Sequence, residues 1–448
     1  MRFSIILVAC LLLCCATPSA SPAQSTPALT VGAARIDITP GENELPPNFE
    51  GILDRLHARA VVLDNGQSRS ALISLDIGGI SEELWHAAAD RLEAEFDIPP
   101  EHVMLTATHT HSAPFRPRPD LANLVVEVVR AADSDRRPAR VGFGTGVSYI
   151  NVNRNVIDPE TRRWWEGPNY DGPSDKTVAV ISFEDFNGET IAVYYNYAMH
   201  AVTVGQLDLI SADAPGTTST YIEESLDGDV VALWSSGAAG DQNPLYYQQT
   251  YDLRNIRIAD YAARGIDISN SMPPGGQGLD KSDPTVTKLM NQQKQMIVSM
   301  GQFLGEEVLR VLRGIDRSTN AVSVRGAQAS ISCPGRNRLD SGRAGFPGQY
   351  EDADPVEIRL SLLMIGDIAI GGINAEVFNL IAQRFKSESP AAQVMMATLA
   401  NGRASSGYIP NDAAYGMYTF EVVSSRLKPG CAEDSIVNGL LDLMSRIR

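Results

Sequence analysis

The sequence predicts an α/β protein, a single large domain of mixed sheets flanked by helices over residues 28–448. Three observations predict it. Short β-prone runs alternate with amphipathic stretches along the whole chain. No internal repeat or low-complexity linker divides it. At 44% hydrophobic and 20% charged over 448 residues, the composition is that of an ordinary globular protein with enough apolar residues for a sizeable core.

Residues 1–23, MRFSIILVACLLLCCATPSASPA, read as a secretory signal: a basic Arg2, an apolar stretch through Leu13, then small residues. The apolar run is short for a transmembrane helix, so the expected location is secreted or periplasmic. Cys10, Cys14 and Cys15 leave a lipoprotein anchor as the weaker alternative. Removing this segment leaves Cys333 and Cys431. They can pair in an oxidising compartment, but sequence alone does not bring them together. No Cys-x-x-Cys pattern occurs, so any metal must use histidine or oxygen ligands.

After the signal, ALTVGAARIDITP alternates as a strand and breaks at Pro40. ARAVVLDNGQSRSALISLDIGG reads as a hairpin, and SEELWHAAADRLEAEF as a helix capped near Ser81. VMLTAT is a strand and LANLVVEVVRAAD a helix. RVGFGTGVSYINVNRN, TVAVISFED, TIAVYYNYAMHAV and VVALWSSG follow as strands. Between the last two, Asp213–Leu226 reads as a helix with Asp213 as N-cap before Pro215. Residues 246–284 are polar and rich in Gly and Pro, a long excursion or lid. A long amphipathic helix spans 285–313. Two strands, the helix AEVFNLIAQRF, the strand QVMMATLAN and a helix near SIVNGLLDLMSRI complete the chain.

Five stretches carry chemistry. In MLTATHTHSAPF, His109 and His111 lie at i and i+2; if the strand continues through them, both imidazoles share a face. That suits a metal or proton-transfer site, although two exposed loop histidines would read the same. His200 ends another strand-like run, and can be a site residue or a hydrogen-bonded core histidine. The turn SSGAAGDQNP offers Ser235, Ser236, Gly237 and Asp241, where backbone N–H groups can approach a ligand, or simply a tight structural turn. Glu376 stands between a strand and a helix, where it can instead complement the helix dipole. Tyr408 and Tyr415 lie in a loop of small residues.

The order of these blocks resembles the neutral, non-lysosomal ceramidases. THTHSAP is similar to that family's THTHSGP, INVNRN to NINRS, AAGDQNP to NAGDVSP, GGINAE to its PGE segment and SSGYIPN to its tyrosine loop; VGAARIDITP, SDKTVAVISFED and NYAMHAVTV match further blocks over residues 30–425. The resemblance implies a ceramidase-like catalytic domain holding Zn²⁺ on His109, His200, Glu376 and Tyr408. It gives His111 and Arg154 roles at the transition state; Tyr408 and Ser236 join them as catalytic candidates, and Gly237, Asp241 and Tyr415 are the candidates for substrate binding. Three departures stand out. Gly237 occupies the position of the family's serine, the tyrosine loop is two residues longer, and the sequence stops soon after this loop where the family continues into an immunoglobulin-like domain, so a shortened form without that domain is expected.

The expected activity is zinc-dependent hydrolysis of an amide, most simply an N-acyl bond, through metal-activated water. Ester hydrolysis, metal-assisted lysis of a uronate-containing glycan, or ligand binding without catalysis are the alternatives. A small-molecule, lipid or glycan substrate is expected. A net charge of −17 speaks against nucleic acid and anionic lipid surfaces as partners, and oligomeric state is not readable.

Overall fold

The computed structural model describes residues 29–114, 118–268, 278–340 and 344–448. The expected signal segment lies outside them. The described chain forms four layers, helices on sheet on sheet on helices. A nine-stranded sheet runs in the order Val231–Ser236, Thr190–Tyr197, Thr177–Asp185, Arg137–Val147, Thr30–Asp37, His57–Asp64, Arg69–Leu75, Val103–Ala107, with Ser318–Thr319 paired beside Arg137–Val147. A four-stranded sheet orders Val324–Arg338, Tyr350–Ile365, Ile368–Ile373 and Gln393–Thr398. Between the two sheets lies an apolar layer that includes Val31, Val61, Leu72, Ile181, Leu233, Leu363, Ile370 and Met395.

The strands alternate because one face of each meets this layer and the other meets helices. Helices Glu82–Phe96 and Leu121–Ser134 cover the far side of the large sheet at one end. Helices Asp213–Ser225 and Pro284–Arg313 cover it at the other. Asn379–Glu388 and Ala432–Ile447 cover the small sheet. Local signals place the helices as the sequence reads. Ser81 Oγ accepts from the Leu84 amide at 3.1 Å, and Leu121–Ser134 buries Leu121, Val125, Val126, Val128, Val129 and Ala132. Each such side chain contributes about 1.5–3 kcal/mol in area terms. Gly301 and Gly305, one turn apart, let the long helix press on Thr217 and Tyr221: a Cβ at either would come within 2.5 Å of them.

Most neighbouring strands are antiparallel, but three pairs are parallel: Arg69–Leu75 with Val103–Ala107, Thr190–Tyr197 with Val231–Ser236, and Ile368–Ile373 with Gln393–Thr398. Each is joined through a helix, as a parallel pair requires. The large sheet also curls until its two end strands approach. Ser74 Oγ donates to the Trp234 carbonyl at 2.6 Å and Ser236 Oγ to the Ala107 carbonyl at 3.3 Å. The carboxyl ends of these strands therefore meet at one rim.

Three local expectations change. The strand expected to carry both histidines ends at Ala107. Asp213 is the first helical residue rather than the cap; at φ +54° its carboxylate accepts from the Val204 amide at 2.9 Å and ties down the preceding loop. The 246–284 excursion contains a helix, Gln248–Ala263, whose Thr250 is bonded by Gln293 of the long helix at 2.5 Å; residues 269–277 lie outside the described part. Cys333 and Cys431 form a disulfide with Cα atoms 5.8 Å apart. Among the described residues no helix is long and apolar enough to cross a membrane.

Candidate metal centre

Each histidine of the site follows one of the parallel strands. Beyond Ala107 the chain turns, with the Thr108 amide bonded to the Leu75 carbonyl and the His109 amide to that of Ile77. His109 adopts φ +64°, a left-handed conformation costly for a residue with a Cβ. Thr110 bridges to Ala201 and donates to the Ser211 carbonyl at 2.6 Å. The two imidazoles thus converge by a strained turn rather than by strand alternation, with Nε2 atoms 3.3 Å apart. His200, three residues past its strand, enters from the other side. One ring nitrogen from each of His109, His111 and His200 is placed to meet a metal, and these three nitrogens lie within 4.8 Å of one another.

Glu376 completes the group. Its Oε2 lies 3.2 Å from His109 Nε2 and 3.1 Å from His200 Nε2. Both histidines have their other nitrogen committed: His109 Nδ1 meets the Gly78 carbonyl at 2.6 Å, and His200 Nδ1 the Ala239 carbonyl at 2.6 Å. A carbonyl only accepts, so each Nδ1 carries the proton and each Nε2 presents a lone pair. Two lone pairs then face a carboxylate oxygen in a buried place, and only positive charge between them relieves the repulsion. A proton does so in part. Burial alone would lower the His109 pKa, but the Glu376 carboxylate raises it, while burial, Arg154 and His109 hold His200 down to about 4. Burial opposes ionisation of Glu376, yet the two imidazoles hold its carboxyl well below the usual range. A divalent cation satisfies all three acceptors at once, and backbone-anchored imidazoles are the arrangement found around such ions. The donor set therefore fits zinc.

Tyr408 lies beside Glu376 because the short strands Glu376–Val377 and Tyr408–Ile409 pair in parallel, Glu376 opposite Tyr408. Its hydroxyl accepts from Arg154 Nη2 at 3.2 Å. Arg154 is nearly fully committed: Nε to Glu421 Oε1 at 2.5 Å, Nη2 also to the Gly240 carbonyl at 2.8 Å, and Nη1 to Asn243 Oδ1 at 3.3 Å. It positions Tyr408 rather than pointing freely at a ligand. His111 keeps an accessible face; burial by its surroundings and the neighbouring imidazoles lower its pKa well below the ordinary value.

The remaining candidates stand elsewhere. Ser236 Oγ is buried, accepting from Trp234 Nε1 at 2.9 Å and facing the Ala107 carbonyl, so its hydroxyl belongs to the core. The Gly237 amide donates to the Tyr197 carbonyl at 2.9 Å, and a Cβ there would lie 3.0 Å from the Ala198 nitrogen. Gly237 serves close packing, not ligand contact. Asp241 spends both oxygens on the protein: the Asn379 amide at 3.0 Å, Asn379 Nδ2 at 2.6 Å and Asn153 Nδ2 at 3.0 Å. Burial nevertheless raises its pKa to about 6. Tyr415 packs with Phe378, Ala414 and Val422, under the Arg336 guanidinium. The Gly-rich turn thus binds its own protein; Gly240 donates to Val377 at 2.9 Å and brings the turn against the backbone of Glu376. Sequence reasoning missed Glu421 and Asn243. The only signal for Glu421 is a carboxylate amid apolar residues in YTFEVVSS.

No protein-family model matches the chain. It is 26% identical over 274 residues to the neutral ceramidase of Pseudomonas aeruginosa, an alignment covering 54% of this chain and 40% of that protein. It is 23% identical to the neutral ceramidase of Drosophila pseudoobscura pseudoobscura, covering 81% and 65%. The alignments therefore span less than two thirds of these relatives' own lengths. The crystal structure of neutral ceramidase from P. aeruginosa superposes with a TM-score of 0.69 over 94% of this chain and 74% of that one, at 16% identity. A second structure, ceramidase complexed with C2, gives 0.68 over 93% and 74%, at 17% identity. The chain is thus similar in sequence to the neutral ceramidases over part of their length, and it shares their fold.

Proposed function

We propose that the protein is a zinc-dependent hydrolase of amide bonds, acting on an N-acylated, ceramide-like compound. The observation that carries this is the pair of backbone-anchored imidazoles whose free lone pairs both face the Glu376 carboxylate. The names of the relatives supply the reaction class.

His109, His200 and Glu376 hold the ion, with Tyr408 as a fourth donor beside Glu376. When bound, zinc supplies Lewis acidity, polarising a carbonyl and acidifying a water molecule. His111 carries an accessible imidazole into the same space and is placed to hold a proton and deliver it to the departing amine nitrogen. Arg154 fixes the Tyr408 hydroxyl and keeps one positive charge beside the place where an oxyanion develops. Glu421 in turn fixes Arg154. With Ser236 buried and Gly237 lacking a side chain, the chemistry runs without a serine.

The test is zinc content and N-acyl cleavage measured on the same preparation. One zinc per chain with release of fatty acid and free amine is expected. Protein that stays metal-free when zinc is offered would sink the reading, and an unsaturated chromophore from a uronate glycan would replace hydrolysis with lysis.

A further inference from the structure

Beside the proposed metal ligands lies a group of side chains that the chemistry above does not use. Arg154 reaches Tyr408 with one terminal nitrogen and Asn243 Oδ1 with the other. That bond fixes the Asn243 amide, whose nitrogen must then donate outward. It donates to Glu166 Oε1 at 2.9 Å, with the Tyr251 hydroxyl 3.5 Å away. Glu166, on the strand Trp164–Asn169, is half-buried, and among the described residues it forms no ion pair; Asn243 is the side chain bonded to it. Tyr247 and Tyr251 pack edge to face, ring centres 4.7 Å apart. Both phenols feel this carboxylate: after burial, Glu166 is the strongest influence raising each of their pKa values.

Charge balance decides what such a group can bind. Among the described residues, three carboxylates, Glu166, Glu376 and Glu421, lie around the Arg154 guanidinium, and Arg254 adds a positive charge near Tyr251. Glu421 is matched by Arg154 at 2.5 Å, and Glu376 faces the imidazoles and the ion they would hold. Among the described residues Glu166 has no ion-pair partner of its own, Arg154 being spent on Glu421. A half-buried carboxylate with two phenols nearby attracts a cation by direct charge, accepts hydrogen bonds from it, and repels an anion.

We propose that Glu166, Tyr247 and Tyr251 form a subsite for a protonated amino group of the substrate, so that the preferred N-acyl compound carries an ammonium group within reach of Arg154's far side. This inference rests on reading the neighbouring site as an N-acyl hydrolase, and it specifies the substrate class.

The experiment uses the full, zinc-loaded protein and two probes of equal length: a mono-N-acyl diamine, which carries an ammonium group, and a neutral N-acyl alkylamine. Dissociation constants come from calorimetry, and turnover is followed separately. Wild type is expected to bind the cationic probe about tenfold more tightly. Glu166→Gln should bring the ratio to about one with zinc content unchanged, the loss in turnover falling on KM. Tyr247→Phe, which keeps the ring, should keep the preference. Equal binding of the two probes by wild type, binding of neither, or a preference that Glu166→Gln retains overturns the subsite. A preference that Glu166→Gln abolishes, on a protein that cleaves neither probe, upholds the subsite while overturning the hydrolase reading.

Discussion

His109 holds a φ of +64° and two commitments, Nδ1 to the Gly78 carbonyl and Nε2 to Glu376. His109→Ala and His200→Ala should each lower zinc affinity by at least about a hundredfold and abolish turnover; metal content after dialysis checks this. Ser236 gives the opposite expectation. Ser236→Ala should leave kcat within a few fold, because the hydroxyl bonds Trp234 and a core carbonyl, and should lower stability by about 1 kcal/mol. A hundredfold loss of kcat would restore the serine. At this scale the side chains that the fold brings together were legible, since two histidines at i and i+2 and a carboxylate after a strand keep their signature in any loop geometry; their service as metal ligands remains the proposal. The roles of Ser236, Gly237 and Asp241 were not. A sequence does not show which way a turn faces, and this one aims its donors at Tyr197, Val377 and Asn379.

Two short connections support the site from outside. The helix Phe420–Ser424 exists to deliver Glu421, fully buried, to Arg154. Glu421→Ala leaves that guanidinium buried and unpaired, which should cost about 3–5 kcal/mol and release Tyr408; thermal unfolding and zinc affinity should fall together. The loop before Asp213–Ser225 is held by Asp54, which accepts from Ser211 Oγ at 2.5 Å and the Ala212 amide at 2.7 Å. Burial, with Asp213 and Asp76 nearby, raises the Asp54 pKa to about 6. A carboxyl raised in the fold binds its proton more tightly there than in the unfolded chain. Its contribution is therefore fully present below the ordinary value of 3.8 and lost as pH rises through 6. Asp54→Asn should flatten the fall in urea midpoint between pH 4 and pH 6; an unchanged slope would assign that fall to other groups. Helix positions and the hairpin were legible because caps and periodicity are local. The end of the strand at Ala107 was not, because bonds to Leu75 and Ile77 bend the chain there and neither lies nearby in sequence.

Four layers could be anticipated only as mixed sheets flanked by helices, since nothing in a strand's own sequence names its neighbour in the sheet. The pairing of Cys333 with Cys431, across 98 residues, was likewise open until the strand Val324–Arg338 and the helix Ala432–Ile447 were seen side by side. Cys333→Ser should lower stability by about 4 kcal/mol through the freed unfolded chain, read as a lower unfolding midpoint under non-reducing conditions. The parallel strand ends that meet at the rim carry a further consequence, for folding rather than chemistry. His109, His200, Glu376 and Tyr408 come from stretches up to roughly 300 residues apart, so no fragment or early intermediate holds the complete proposed ligand set. On the proposed ligand set, zinc would not nucleate this chain as it does a small finger domain. On refolding, metal uptake should appear only with the slowest kinetic phase, making capture of the ion a clock for the last step of assembly.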